Sequence, residues 1–325
     1  MKKILLIVIG SIAAILIGFT IFINLSYEQS FDEKFPVKEL SIKADSAMIA
    51  RGEYLAYGPA HCGHCHSPLD KLEAVDKGEA VVMTGGFVFD LPIGKVYSPN
   101  LSSDPETGIG GLSDGQLYRM LRHNVRRDGA ACLELMPFTT MSDYDIHSII
   151  AFLRTQPAVK NEVPKNDYNF LGKMIRSLAI KPADPGNAVA ANITPDSSVA
   201  YGKYLCESVA NCRGCHTNRD LKTGAFIGEP YAGGFQMGPD ASTANYTFVT
   251  PNITPDPTTG ILVRYDETRF MDRMRGGRIH QTSPMPWGSF KRLSDNDLKA
   301  IYRFLKTVKS VNNPIAQTVI PPAEK

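Results

Sequence analysis

Hydrophobic positions fall into three patterns along this chain. From Ile4 to Leu25 they are nearly continuous, broken only by Gly, Ser, Thr and Asn and never by a charge. A run of that length predicts one membrane-spanning helix, which needs about 20 residues. A second pattern has helical spacing. It predicts a helix from Asp45 through Met48, Ile49, Gly52 and Leu55, one from about Ser113 to Val125, and one opened by Ser142-Asp143-Tyr144-Asp145 and carried by Ile146, Ile149, Ile150 and Leu153. A short amphipathic helix is expected from Tyr168 to Ile180, and a last one behind Ser294, with Leu298, Ile301, Tyr302 and Leu305. The third pattern has no period: Gly85-Gly86-Phe87, Pro92, Gly94 and Tyr97-Ser98-Pro99-Asn100 interrupt every run. Irregular chain of that length needs something other than its own side chains to fill the core. The fold class expected is therefore mainly α.

The helical pattern occurs twice. Ala50-Arg51-Gly52-Glu53-Tyr54-Leu55 returns as Ala200-Tyr201-Gly202-Lys203-Tyr204-Leu205, and Gly85-Gly86-Phe87 returns as Gly233-Gly234-Phe235. Ser98-Pro99-Asn100 matches Thr250-Pro251-Asn252, Asp104-Pro105-Glu106-Thr107-Gly108 matches Asp256-Pro257-Thr258-Thr259-Gly260, and Ser142-x-x-Asp145 matches Ser294-x-x-Asp297. Offsets between 148 and 152 along the whole series mean a duplicated unit. The organisation expected is an anchor at 1–25, a polar tether at 26–44, a first domain at 45–156, a Pro-rich linker at 157–197, a second domain at 198–312 and a tail at 313–325. A cleaved secretory signal also begins with Met1-Lys2-Lys3 and an apolar run. The length of the run, and the lack of a small-x-small site in Asn24-Leu25-Ser26-Tyr27-Glu28, favour an uncleaved anchor. Lys2 and Lys3 then place the start inside, and everything after it on the periplasmic or outer face of the cytoplasmic membrane.

Composition adds little. With 35 basic and 33 acidic residues among 325, the net charge is +2, which gives no reason to expect nucleic acid as a partner. The length suffices for two domains with their own cores.

Chemistry enters with Cys62-Gly63-His64-Cys65-His66 and Cys212-Arg213-Gly214-Cys215-His216. C-x-x-C-H is the attachment pattern of c-type haem: two thiols add to two vinyl groups and the next residue offers an imidazole to the iron. C-x-x-C alone also serves zinc and redox sites, but two copies in equivalent settings favour haem. His66 and His216 are thus the expected proximal ligands, and Cys62, Cys65, Cys212 and Cys215 the attachment thiols of two haems. For a sixth ligand, Met136 and Met285 stand at matching places, each followed by Pro, 70 and 69 residues after its His. Met141 is the local rival of Met136 but has no counterpart. Pro99 and Pro251 are candidate carbonyl acceptors for the second ring nitrogen of each His, although Pro-Asn is also ordinary turn chemistry. His61 and His64 are expected to face solvent. Cys132 and Cys206 form a disulfide or remain buried free thiols.

The C-x-x-C-H motifs, Tyr97-Ser98-Pro99-Asn100-Leu101-x-x-Asp104-x-x-Thr107-Gly108-Ile109-Gly110, Met136-Pro137-Phe138 and the Ser142-Asp143-x-Asp145 helix together resemble the cytochrome c subunits of membrane-bound bacterial alcohol, gluconate and sorbitol dehydrogenases, over about residues 45–312. Those subunits typically carry three haem domains, and this chain has two motifs. The resemblance implies two tandem class I cytochrome c domains with His/Met ligation, and electron transfer rather than catalysis. Its partners would be redox proteins: a periplasmic dehydrogenase as donor and a respiratory acceptor. The alternative is a dihaem enzyme with an open or thiolate-ligated iron, of the peroxidase or thiosulfate dehydrogenase type.

Overall fold

The computed structural model describes residues 1–186, 189–220, 224–240 and 242–323. Small parts of the expected linker (187–188), second domain (221–223, 241) and tail (324–325) lie outside the described residues.

The structure is mostly helical and begins with α1 (Lys2–Ser26), an apolar helix long enough to cross a membrane. Its last turn does not stand free, because Ile23 is fully buried. The stretch expected to be a tether is instead bound along the first repeat. Phe31 N donates to Gly129 O at 2.8 Å, Phe35 stacks on His123 with ring centres 4.8 Å apart, and Arg119 donates to Asp32 and to Phe35 O. Hydrogen bonds hold this stretch together with a few apolar side chains, Phe35 buried and Tyr27 and Ile42 packed on the core.

α2 (Ser46–Tyr57) starts where Asp45 accepts from Met48 N at 2.8 Å. It is followed by α3 (Cys62–His66), α4 (Leu72–Lys77), α5 (Asp114–His123) with a Ser113/Gln116 capping box, and α6 (Asp143–Arg154) capped by Ser142. α2 crosses α6 at Gly52, where a Cβ would fall 1.8 Å from Ser148 O. The side-chain-free position lets the two backbones touch. After α7 (Phe170–Leu178) the plan repeats with α8 (Val199–Tyr204), α9 (Cys212–Cys215), α10 (Glu267–Arg275), α11 (Trp287–Phe290) and α12 (Asp295–Leu305). α8 crosses α12 at Gly202, 1.9 Å from Ala300 O by the same measure. One difference is that α8 runs into a π-helical turn over Leu205–Val209, where α2 stays regular.

Two small antiparallel sheets accompany the helices and were not legible as strands. The first joins β1 (Val88–Leu91), β2 (Gly94–Tyr97) and β3 (Asp167–Tyr168), with Lys95 opposite Asp167. The second joins β4 (Gln236–Met237), β5 (Thr247–Val249) and β6 (Val319–Ile320), with Phe248 opposite Val319. β3 lies in the expected linker and β6 in the expected tail, so the duplication runs past the last helix of each repeat. Val159 O and Val311 O take matching roles beyond α6 and α12, each accepting from a buried Asn side chain at 2.8 Å.

The repeats do not keep separate cores. One buried cluster runs from Leu55, Ile146 and Ile150 through Tyr201 and Tyr204 to Leu298 and Leu305. At the seam each repeat caps the other's last helix. Tyr204 donates to Asp145 at 2.6 Å and accepts from Ser142 N, while Tyr54 donates to Asp297 and accepts from Ser294 N at 2.8 Å. Arg51, facing Tyr201 across this pseudo-twofold arrangement, pairs with Asp145 at 2.8 and 3.0 Å.

Candidate haem sites

Each C-x-x-C-H motif is a single helical turn entered through a left-handed residue, His61 at φ 41° and Asn211 at φ 55°. That kink, just after the preceding helix has ended, redirects the chain into the motif. The motif is then locked to the glycine pair downstream. Gly85 N donates to His66 O at 2.7 Å and Gly233 N to His216 O at 2.8 Å. Both glycines have positive φ (75° and 74°), and a Cβ on either would come within 2.5 Å of the following Pro-Asn turn. Only glycine lets that turn approach the histidine.

The turn supplies the ring's partner. His66 Nδ1 lies 3.0 Å from Pro99 O, and His216 Nδ1 lies 3.0 Å from Pro251 O. A carbonyl only accepts, so Nδ1 carries the proton and Nε2 presents its lone pair. Burial holds both imidazoles below the usual histidine range, with the carbonyls opposing it only in part. Each turn is in turn fixed by the next residue, buried to 2% exposure for Asn100 and 1% for Asn252. Asn100 donates to Val159 O at 2.8 Å and Thr107 Oγ1 at 3.1 Å and accepts from Ser102 N at 2.9 Å. Asn252 makes the same three contacts with Val311 O, Thr259 Oγ1 and Thr254 N at 2.8, 2.9 and 2.9 Å. The asparagines' reach across to Val159 and Val311 was missed in the sequence, where Val159-x-Asn161 and Val311-x-Asn313 repeat at the offset of 152.

A connected cavity of about 2410 Å³ opens beneath these motifs. Cys62, Cys65, His66 and Met136 line it together with Leu117, Met120, Phe138, Ile149 and Leu153. Cys215, Gly214, Phe235 and Pro286 of the second repeat line the same space, whereas Cys212, His216 and Met285 are not part of its wall. Cys212 and Met285 are half-buried against the core. Protein interiors are packed nearly without voids, so an apolar space of this size walled by thiols, an imidazole and a thioether fits a large flat prosthetic group and not side-chain packing alone. The residues lining it therefore suit haem at the first motif, with Cys215 of the second on the same wall. Met141 is fully enclosed in the core, while Met136 reaches the cavity wall.

The two motifs approach each other. The Cys65 thiol is pushed up to about 12 by burial and then by the neighbouring Cys215, and the His64 ring is held down to about 3 by burial, His61 and Arg278. The chain after each Met-Pro step rests on the other repeat: Thr140 Oγ1 meets Ser208 Oγ at 2.7 Å, and α11 packs so closely on α4 that a Cβ on Gly288 would lie 2.3 Å from Asp76 Cα. Arg278 adds a pair with Asp76 at 2.7 Å. His61, expected at the surface, is half-buried in this contact with its ring 5.6 Å from that of Phe290 and its Nδ1 3.0 Å from Pro59 O. His64 is also half-buried, because the seam covers the motif's outer side. The six cysteines are all free. Cys206 is buried in hydrogen-bond contact with Cys212, and Cys132 is half-buried near Arg126 and Arg176, so the two stand in different surroundings.

A mostly helical chain with paired C-x-x-C-H turns, each with its histidine tethered to a Pro carbonyl, has the features of a c-type cytochrome. No family model matches the chain. Among known proteins it is similar to the cytochrome subunit of fructose dehydrogenase from Gluconobacter japonicus, 28% identical over 285 residues, which cover 84% of this chain and 55% of that one. It is similar to the cytochrome c subunit of the quinone alcohol dehydrogenase of Gluconobacter oxydans at 30% identity, covering 82% of this chain and 56% of the relative. A diheme cytochrome c-type protein of Cereibacter sphaeroides is 25% identical and matches at 83% of this chain and 91% of its own length. The chain thus spans little more than half of the two dehydrogenase subunits. These cytochrome c relatives imply covalently bound haem c.

Proposed function

We propose that this chain is a membrane-anchored dihaem cytochrome c that relays single electrons from a periplasmic donor, a dehydrogenase among the candidates, to a respiratory acceptor. The observation that carries the reading is the duplicated constellation of C-x-x-C-H, a Pro carbonyl on the histidine Nδ1, and a Met-Pro segment at the matching place. Bound haem iron supplies one-electron chemistry between its ferric and ferrous states. Cys62 and Cys65 attach one group and Cys212 and Cys215 the other. His66 and His216 present Nε2, held in one tautomer, and Met136 and Met285 complete the two sites, each of which would favour the reduced state through its thioether. The fold assigned is two tandem class I domains, 45–156 and 198–312, pressed together along the shared core. The anchor reading is supported by the end of α1, where Ile23 is fully buried and Asn24 and Ser26 are hydrogen-bonded to α7, so the apolar helix continues into the folded part. The names of the dehydrogenase subunits among the relatives support a dehydrogenase as donor.

The test is the absorption of the purified holoprotein, oxidised, reduced, and reduced under carbon monoxide. Two haems per chain, the weak long-wavelength band expected of methionine ligation in c-type cytochromes, and no carbon monoxide shift are the expected result. High-spin features or a shift on one haem would transfer the reading to an enzyme with an open iron.

A further inference from the structure

α7 has three sides. One is packed on the first repeat: a Cβ on Gly172 would fall 2.1 Å from Ile93 O, and Arg176 is buried with its guanidinium 4.7 Å from the Tyr168 ring. A second meets the end of α1. Ser177 Oγ lies 2.5 Å from Ser26 Oγ, Lys173 Nζ donates to Asn24 Oδ1 at 2.9 Å, and Gln29 Nε2 donates to Ser177 O at 3.4 Å. The third side carries Phe170, Leu171 and Leu178, exposed to 46%, 36% and 53%, with half-buried Met174 among them. At about 100° per residue these four positions span only about 100° of arc, and that arc adjoins the side touching α1. Leu25, 80% exposed, extends the apolar surface onto α1 itself.

The height of α7 follows from these contacts, and the argument rests on the anchor reading above. The uncharged run of α1 ends at Leu25, which is where a spanning helix leaves the hydrocarbon. α7 is hydrogen-bonded to Asn24 and Ser26, so it sits at that level and no deeper. A short helix with an apolar stripe, held at the boundary beside Tyr27, Lys173 and Lys181, meets the conditions for an in-plane interfacial helix. We propose that α7 lies on the outer leaflet as a second membrane contact, with Phe170, Leu171, Met174 and Leu178 set into the phospholipid headgroup and acyl boundary. A single spanning helix can tilt in the bilayer, and the folded part packed on its end would tilt with it. Two contacts fix the tilt of the first repeat, and with it the direction in which its cavity faces a partner in the same membrane.

The experiment uses the full-length holoprotein in phosphatidylcholine and phosphatidylglycerol vesicles containing a phospholipid with a diazirine in its upper acyl chain. Labelled peptides are mapped by mass spectrometry after illumination. Labels within both 4–25 and 170–178 are expected, with the second set falling several-fold in a Phe170→Ser/Leu178→Ser variant while labelling of α1 and haem absorbance are unchanged. Labelling of α1 without 170–178 overturns this proposal and leaves the anchor standing, as does protection of 170–178 by a second copy in a cross-linked dimer. A mature chain that lacks residues 1–25 overturns the anchor, and this proposal with it.

Discussion

The two repeats share a plan and differ at the seam between them, and the difference shows how a duplicated fold becomes asymmetric. In the first repeat, position 51 is an arginine that binds the carboxylate of Asp145. In the second, the equivalent Tyr201 has no cation to offer Asp297, whose carboxylate is met by the hydroxyls of Tyr54, Ser294 and Tyr201. The asymmetry is also global: residues 45–156 hold nine Lys and Arg against fourteen Asp and Glu, a net −5, while residues 198–312 hold fifteen against ten, a net +5. A total of +2 conceals a molecule with an acidic end and a basic end, and charges so arranged orient approaching proteins more than they stabilise the fold.

The most severe way to break the likeness is to separate the crossing helices. Gly52→Ala and Gly202→Ala each place a methyl group into a main-chain carbonyl, at Ser148 and at Ala300. Each is expected to cost about 3 kcal/mol, the upper end for overpacking, because rigid backbone must move on both sides. Urea unfolding of the holoprotein checks this, and equal losses from the two variants would mean that the crossings are equivalent in energy as well as in shape.

Next comes the arginine that has no twin. Arg51→Ala leaves the buried Asp145 with Tyr204 but no cation, and is expected to cost about 2–3 kcal/mol, less than a fully buried pair since Arg51 keeps some solvent contact. Tyr201→Phe, which removes a hydroxyl 3.4 Å from Arg51 and its hydrogen bond to Asp297, is expected to cost about 1 kcal/mol in the same unfolding experiment. Comparable losses would mean that the tyrosine, not the ion pair, holds the seam.

The asparagines test the opposite claim, that the histidine supports are alike. Asn100→Ala removes three hydrogen bonds from a buried turn and Asn252→Ala four, for about 2 kcal/mol apiece. Redox titration is the sharper readout. Loosening Pro99 or Pro251 weakens the hold on one histidine Nδ1, so each variant is expected to shift one midpoint potential and leave the other in place. Movement of both together would show that the sites are coupled through the seam.

What could be read in the sequence divides along the same line. Helix starts at Asp45, Ser113, Ser142 and Ser294 were legible because a capping side chain and an apolar period are local signals, and all four residues cap in the structure. The Pro99 and Pro251 carbonyls were legible because the turns repeat in register with the motifs. The strands at 167–168 and 319–320 were not, since two residues carry no period, and the chain containing them was read as linker and tail. The seam was invisible for another reason. Tyr54 and Asp297 lie 243 residues apart and Arg51 and Asp145 lie 94 apart, and no local pattern announces such a meeting. His61 was misplaced by the same blindness: the surface it would have faced is covered by Phe290.

The smallest expected effect concerns the carboxylate without an arginine. Burial raises Asp297 above its ordinary value of 3.8, and the hydrogen bond from Tyr54 with the more distant Arg51 offsets only part of that. A carboxyl that binds its proton more tightly folded than unfolded favours the folded state when protonated, so its contribution is present below about 3.8 and declines as pH rises from there through the folded-state value. Stability relative to an Asp297→Asn variant is therefore expected to fall on going from pH 4 toward neutrality, by about 1.4 kcal/mol for each tenfold gain in the folded carboxyl's hold on its proton. Asn keeps an oxygen for Tyr54 and for the helix cap, so the comparison isolates the charge. Parallel unfolding curves for the two proteins across that range would mean that Arg51 serves both carboxylates, and that the seam is electrostatically more symmetric than its residues suggest.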